Sequence, residues 1–247
     1  MGKEENILKF YPQSNRPIQE RGNLITEKDR AKARKFDIEY FDGDRLTGYG
    51  GYNYNPRFWT DTVRYMVKYY ELSNNSKILD VVENIVGPNI LVAGTVLFLK
   101  EPENKGFISW HQDGIYQGWK PYNSITAWLA ITDVNEENGC MRMWTGSHKD
   151  NFKNHKDTLD EDNLLTRGQT IENVPVKDTI PIILKPGQLS IHHPMTVHGS
   201  GPNLSKSRRI GFAIQSYIGT NVEQILGKTY VQQVRGKDDF KYHEHTP

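Results

Sequence analysis

The sequence is short of several features, and each shortage excludes a class of protein. Cys140 is the only cysteine among 247 residues, so no intrachain disulfide can form and no thiolate zinc site is expected. The 31 basic and 30 acidic residues nearly cancel, which predicts neither a nucleic-acid partner nor an acidic membrane surface. No apolar run approaches the roughly 18 residues of a membrane-spanning helix. Residues 1–10, MGKEENILKF, lack the apolar core of a signal peptide, so we expect a cytoplasmic protein.

The composition divides the chain into two parts. Residues 1–77 are polar, and within them residues 60–72 repeat apolar side chains at helical spacing. From about residue 88 the pattern changes to short apolar strands between Gly and Pro turns, as in NILVAGTVLFL, SITAWLAIT, TIPIILKPGQLSIHH and RIGFAIQSYI. Several short strands of this kind are typical of a sandwich or barrel. We therefore predict a mainly β fold preceded by a helical, partly irregular N-terminal segment.

Three His-x-Asp pairs raise the question of a metal site. Two of them lie in the lysine-rich stretch GSHKDNFKNHKD (residues 146–157), where ammonium groups would repel a cation. The third, His111 with Asp113, follows the apolar stretch FISW. On a strand, residues i and i+2 point to the same face, so both side chains could reach one point inside a barrel. The pair could equally be hydrogen-bonded in a half-buried strand.

A third ligand would favour the metal site. Two histidines and one carboxylate on one face of the metal are the ligand set of non-haem Fe(II) oxygenases. His198, in TVHGSGPN, ends an apolar strand before a glycine turn, from where it can reach a barrel interior. We interpret His192 and His193, which precede a proline, as structural, and the two histidines of the C-terminal stretch YHEHTP as solvated.

An arginine points to a co-substrate. Arg209 opens the strand RIGFAIQSYI eleven residues after His198. A buried arginine needs an anion, and its planar fork suits a carboxylate bound through both oxygens. An Fe(II) centre with open positions and an arginine for a carboxylate together suggest 2-oxoglutarate.

These stretches resemble the phytanoyl-CoA dioxygenase family of Fe(II)/2-oxoglutarate oxygenases. The likeness covers about residues 82–240 and is carried by VGPNILVAGTVLFLKEP, KGFISWHQDGIYQGW, TAWLAITDVNEENGCMRMWTGSHK, LKPGQLSIHHPMTVHGSGPN and RRIGFAIQSYI, in family order. It implies a double-stranded β-helix, the jelly-roll or cupin-like barrel. It also implies a small-molecule substrate, O2, and the following site residues. Iron would be held by His111, Asp113 and His198, and the 2-oxoglutarate carboxylate by Arg209 with Ser200 and Trp128 beside it.

The front of the chain resembles something else. Residues 42–81 resemble the opening of class I S-adenosylmethionine methyltransferases, in which a strand like KILDV leads into a glycine-rich loop. The glycines are missing here, so no methyltransferase activity is expected. We therefore expect residues 1–80 to be a separate, non-functional extension and residues 81–247 to be the dioxygenase barrel.

The resemblance implies hydroxylation of an unactivated C–H bond, with release of succinate and CO2. Related halogenases have a small residue in place of the carboxylate of Asp113, which favours hydroxylation here. Tyr116, Trp119 and Lys120 follow the metal pair and could line the mouth of the site or pack at the barrel rim. Two alternatives stay open: a cupin-like metal-binding barrel that does not use 2-oxoglutarate, and a non-catalytic or impaired fusion.

Overall fold

The structure, a computed structural model, describes residues 70–158, 160, 162–165, 168–227 and 229–245. Residues 70–73 are helical, as the helical spacing over 60–72 predicts for its last residues; the rest of that predicted helix lies outside the described residues. One further helix, α1 (Ser76–Val86), precedes the strands, and the Asn75 side chain accepts a hydrogen bond from the Lys77 amide at its start. None of the helices in the described ranges has the length and apolar character needed to cross a bilayer.

The strands follow in the order β1 (Ile90–Lys100), β2 (Ile108–His111), β3 (Trp119–Lys120), β4 (Ser124–Ala130), β5 (Met141–Trp144), β6 (His155–Asp157), β7 (Gln169–Ile171), β8 (Thr179–Pro181), β9 (Leu189–His192), β10 (His198–Ser200), β11 (Arg209–Gly219), β12 (Glu223–Gln224), β13 (Tyr230–Arg235) and β14 (Glu244–His245). They form a six-stranded sheet, β14-β13-β1-β11-β4-β9, and a four-stranded sheet, β2-β10-β5-β8. Two further antiparallel pairs, β12-β3 and β6-β7, stand beside these sheets. The predicted jelly-roll architecture is confirmed.

Strand β4 is buried along its whole length, because its side chains pack against a different apolar cluster on each face of the six-stranded sheet. Ile125, Ala127 and Leu129 belong to an apolar cluster with α1 on the outer face of the sheet. Trp128 and Ala130 instead pack between the sheets with methionines of β5. Side chains that point inward from β4 therefore face the space between the two sheets, where the candidate site lies.

Helix α1 is part of this fold rather than of a separate unit. Its buried side chains Ile78, Leu79, Val82 and Val86 pack into the cluster that covers the outer face of the sheet. The segment KILDV is thus helical, and its interpretation as a strand of a methyltransferase was wrong. Its apolar residues pack at helical spacing, which the short run of five did not reveal. The boundary placed after residue 80 falls inside α1, and residues 42–69 lie outside the described part of the chain.

Candidate metal and co-substrate site

The predicted metal ligands come together at the start of the four-stranded sheet. His111 ends β2 and His198 begins β10, and the two residues are direct partners across these antiparallel strands. Asp113 opens a short 3-10 helix just after β2. One nitrogen of each histidine and one oxygen of Asp113 all lie within 4.8 Å of one another. The set has the two-histidine, one-carboxylate composition of non-haem iron sites.

Backbone carbonyls aim both histidines in the same way. The Nδ1 of His111 donates to the carbonyl of Ser109 (2.8 Å), and the Nδ1 of His198 donates to the carbonyl of Thr196 (2.9 Å). Since a carbonyl can only accept, each ring keeps its lone pair on Nε2, which faces Asp113. The Nε2 atoms lie 3.4 Å and 3.7 Å from Asp113 Oδ1. Holding the second nitrogen in this manner is the usual way to orient a metal-binding histidine.

The charges of His198 and Asp113 suit a divalent cation. Burial, and then the neighbouring His111, lower the pKa of His198 to about 3, so its ring is neutral at pH 7. Burial alone would raise the pKa of the Asp113 carboxyl, but the surrounding histidines hold that pKa well below its usual range. A neutral imidazole and an ionised carboxylate are the forms that bind metal. The residues present therefore fit Fe(II).

Thr126 and Gln112 hold the metal-binding loop, and sequence reasoning missed the role of both. The Thr126 hydroxyl donates to Asp113 Oδ2 (2.9 Å), which leaves Oδ1 turned toward the histidines. Gln112 points away from the site, as its position between the ligands predicts, and is fully buried. Its side chain donates to the Met195 carbonyl (2.7 Å) and accepts from the Lys153 amide (2.8 Å). It ties the loop to two neighbouring segments.

The other two His-x-Asp pairs do not form a comparable cluster. Asp150 is exposed and pairs with Lys153, while His148 lies on the surface. His155 has a supporting role, because its Nε2 accepts the backbone N–H of Gln112 (3.1 Å). Among the residues that the structure describes, the set around Asp113 stands alone as a candidate metal site.

Two buried basic side chains lie side by side near the triad. Arg209 begins β11 directly opposite Lys100, the last residue of β1, and each is 2% exposed. In the described ranges, no carboxylate pairs with either residue. Burial lowers the pKa of Arg209 to about 10, and burial followed by Arg209 lowers that of Lys100 to about 6. A buried guanidinium calls for an anionic ligand, and an anion bound there would also favour the charged form of Lys100.

The predicted co-substrate residues Ser200 and Trp128 lie beside Lys100 and Arg209. Ser200, two residues after His198 on β10, accepts a hydrogen bond from Lys100 Nζ (2.7 Å), which also donates to the carbonyls of Ser200 and Gly201. The Trp128 ring packs against the Arg209 guanidinium, 5.4 Å from ring centroid to Cζ. The contact of Ser200 and Trp128 with a co-substrate stays a prediction, and Lys100 was not among the residues predicted from the sequence. Lys100 ends an apolar run in the sequence, and this position does not indicate that the residue is buried beside an arginine.

The three predicted substrate residues are not equivalent. Tyr116 lies near the triad, with its ring centroid 6.3 Å from that of His111. Trp119 does not line a mouth: it is 3% exposed, belongs to a separate apolar cluster with β11 and β13 residues, and donates its indole N–H to Gln224 (2.8 Å). The period-two alternation of β3 buries Trp119 and turns Lys120 into solvent. Lys120 as a substrate contact stays a prediction.

His192, interpreted as structural, and His243, interpreted as solvated, lie in surroundings that the sequence did not predict. His192 is buried beside Asp113, with Nε2 3.4 Å from Oδ2, although the following proline suggested a structural residue. His243 is buried rather than solvated, because its Nε2 donates to the Val222 carbonyl (2.7 Å) and its ring packs edge-on against Trp119. Neither position follows a local pattern that could have revealed it.

The geometry agrees with comparisons to known proteins. A profile described as phytanoyl-CoA dioxygenase (PhyH) matches residues 9–211. The chain belongs to the phytanoyl-CoA dioxygenase family. The match begins far ahead of residue 82, where the likeness of individual motifs begins, and so covers most of residues 1–80. A separate extension over 1–80 stays a prediction, and both this match and helix α1 weigh against it.

Several relatives can be compared directly. A probable alpha-ketoglutarate-dependent hypophosphite dioxygenase of Stutzerimonas stutzeri is 26% identical over 175 residues, 70% of this chain and 58% of its own length. The peroxisomal phytanoyl-CoA dioxygenase of Bos taurus is 31% identical over 179 residues, 67% of this chain and 53% of its own length. The chain thus spans little more than half of these relatives.

Solved structures show the same fold. The apo structure of the non-heme monooxygenase ThoJ is 31% identical with a TM-score of 0.63, over 72% of this chain and 64% of that one. EvdO2 from Micromonospora carbonacea var. aurantiaca, complexed with 2-oxoglutarate, is 19% identical with a TM-score of 0.51, over 72% and 71% of the two chains. The EvdO2 likeness concerns the fold alone.

Proposed function

We propose that this chain is an Fe(II)- and 2-oxoglutarate-dependent dioxygenase that hydroxylates an unactivated C–H bond of a small organic substrate. The observation that carries the proposal is the pairing of two features in one space between the sheets. A triad with the ligand composition of a non-haem iron site lies at one end. A buried arginine beside a buried lysine lies at the other, and neither pairs with a carboxylate of the described residues. We further propose that the protein acts in the cytoplasm.

Each residue has a defined task in this proposal. His111, His198 and Asp113 would hold the iron, as the two histidines and one carboxylate of non-haem iron oxygenases do. Thr126 fixes the carboxylate so that Oδ1 faces the metal position. Bound Fe(II) and 2-oxoglutarate supply the oxidising chemistry, in which 2-oxoglutarate and O2 become succinate and CO2 while one oxygen atom enters the substrate C–H bond.

Two basic side chains, Arg209 and Lys100, bind the carboxylate of 2-oxoglutarate that is remote from the metal. The Ser200 hydroxyl completes that contact. Trp128 holds the guanidinium plane from one side. Gly211 makes room for this ring, because a Cβ there would lie 1.8 Å from Trp128 Cζ2. A site so enclosed keeps water away from the reacting groups.

Arg209 discriminates between this proposal and a cupin-like barrel. A barrel that binds only a metal has no use for a buried guanidinium, whose desolvation is costly without an anion. The carboxylate of Asp113 in the triad also favours hydroxylation over halogenation, because a halide would need the position that it occupies. The relatives act on substrates as different as hypophosphite and phytanoyl-CoA, by their names, so the proposal stops at a small substrate and O2.

An anaerobic titration with Fe(II) and 2-oxoglutarate tests the proposal. We expect the visible charge-transfer band of the iron chelate to appear in the wild-type protein, to be lost in His198→Ala, and to need far more 2-oxoglutarate in Arg209→Ala. His148→Ala and Arg208→Ala are the matched controls, since His148 is exposed and Arg208 forms a surface ion pair with Glu101. Both controls should behave as wild type.

The second readout is succinate, measured after O2 is admitted to the anaerobic sample of protein, Fe(II) and 2-oxoglutarate. Formation of succinate, even slowly and without substrate, supports a dioxygenase. A cooperatively melting wild-type protein that binds Fe(II) but shows neither the band nor succinate would overturn the proposal. The cupin-like or non-catalytic alternative would then stand in its place.

A further inference from the structure

His192 is buried at the metal site without a hydrogen-bond partner. Its side chain is 3% exposed, and its ring centroid lies 4.6 Å from that of His198. The 3.4 Å between its Nε2 and Asp113 Oδ2 exceeds the upper limit of about 3.2 Å for an ordinary N–H···O bond. Neither ring nitrogen bonds to a residue that the structure describes. Because an imidazole carries at least one N–H in every protonation state, a buried donor is left over.

A second unsatisfied donor lies on the same face of β9. Leu189 and Ile191 pack against the apolar cluster on the outer face of the sheet, so Ser190 and His192 face the space between the sheets. The Ser190 hydroxyl is buried and has no hydrogen-bond partner in the described ranges. Buried polar side chains are normally paired, so two open donors on one face indicate a ligand that contacts both.

The register of β9 shows the direction in which this ligand extends. His192 pairs with Thr126, which contacts Asp113, and Ser190 pairs with Trp128, which contacts Arg209. His192 thus lies nearer the predicted metal ligands, and Ser190 lies nearer Arg209. A molecule with acceptor oxygens along its length would satisfy both.

We propose that His192 donates a hydrogen bond to the metal-proximal carboxylate of 2-oxoglutarate and that Ser190 donates a second bond farther along the co-substrate. The inference rests on the proposed function and identifies β9 as a wall of the co-substrate site. His192 is not a fourth metal ligand in this arrangement. Its Nε2 lies beside Asp113 Oδ2, whereas the nitrogens of the two ligand histidines face Oδ1.

Three anaerobic measurements on the full chain test the role of His192. They are the Kd for Fe(II) alone, the Kd for 2-oxoglutarate on the Fe(II)-loaded protein, and the energy of the charge-transfer band. In His192→Phe we expect the Fe(II) Kd to stay within about threefold of wild type and the 2-oxoglutarate Kd to rise about tenfold or more, as expected for a lost bond to a charged group. The band should shift, because a donor to the chelating carboxylate has been removed.

Two further variants sharpen the test. His192→Gln keeps an N–H donor and should recover part of the affinity for 2-oxoglutarate, while Ser190→Ala should weaken binding about threefold. His148→Phe, at an exposed position, is the matched control and should leave every value unchanged. If His192→Phe does not melt cooperatively, His192→Leu and Ser190→Ala decide by the same criteria.

The outcomes separate this inference from the function on which it rests. Absence of 2-oxoglutarate binding in the wild type overturns the proposed function itself. Wild-type binding with an unchanged 2-oxoglutarate Kd in His192→Phe overturns only the role of His192. A loss of Fe(II) affinity in His192→Phe would show that His192 supports the metal site, as a ligand or through Asp113, and would also overturn the inference.

Discussion

Binding of 2-oxoglutarate should draw a proton onto Lys100, and its affinity should therefore fall as the pH rises. Burial, and then the nearby Arg209, lower the pKa of Lys100 to about 6. At pH 8 only about 1% of Lys100 is protonated without the co-substrate, because that pH lies about two units above the pKa. A carboxylate beside the amine favours the charged form and raises the pKa in the complex.

The magnitude follows from this linkage. Where binding takes up one proton, the Kd should rise about tenfold for each pH unit, equal to about 1.4 kcal/mol. The rise begins near pH 6, since Lys100 is already charged at lower pH, and ends at the pKa of the complex. The affinity falls as the pH rises because the pKa of Lys100 is low in the free protein and is raised by the bound ligand.

Calorimetric titration of the metal-loaded protein measures the proton uptake. We compare the heat of binding at pH 8 in two buffers with different ionisation enthalpies. The two heats should differ by nearly the full difference between these enthalpies, as expected when the protein takes up nearly one proton per bound 2-oxoglutarate. In Lys100→Met the uptake and the steep pH dependence should disappear, whereas Lys105→Met, at an exposed position, should keep both. Equal slopes of Kd against pH in the wild type and in Lys100→Met would refute the assignment of Lys100 to the co-substrate.

Three further substitutions test other parts of the structure. Thr126→Val removes the hydroxyl that orients Asp113 and should weaken metal binding about tenfold to a hundredfold, measured by Fe(II) titration; an unchanged Kd would show that this hydrogen bond does not orient the ligand. Gly211→Ala places a methyl group on the Trp128 ring and should cost about 1–3 kcal/mol in denaturant unfolding, whereas a neutral effect would mean that the ring moves freely. Tyr217→Phe removes a hydrogen bond to the backbone just before α1 and should cost about 1 kcal/mol, against no loss in the exposed control Tyr242→Phe.

The motifs of the barrel were predictable because their information is local. The spacing of His111 and Asp113 predicted that both side chains could reach one point, and the structure brings a ligand atom of each within 4.8 Å of the other. The candidate third ligand, His198, was found from a strand end and a family likeness. In each case a few neighbouring residues decide the direction of a side chain.

Wrong interpretations arose where a short segment was assigned without its partners. The five residues KILDV suit a strand by composition, but they lie in α1 because their apolar side chains pack on the outer face of the six-stranded sheet. Trp119 follows the metal pair closely in sequence, yet it is buried among residues of β11 and β13. Neither the composition of KILDV nor the closeness of Trp119 to the metal pair in sequence determined where these side chains pack.

The sequence by itself determined the strand pattern, the near-neutral charge, the His-x-Asp pair and the family to which the chain belongs. Tertiary structure alone decided that Lys100 lies opposite Arg209 and that His192 reaches Asp113. These contacts depend on strand register: Lys100 pairs with Arg209, 109 residues later, and His192 pairs with Thr126, 66 residues earlier, whose hydroxyl bonds to Asp113. Shifting either strand by one residue would turn its side chain to the other face, and no local pattern specifies that register.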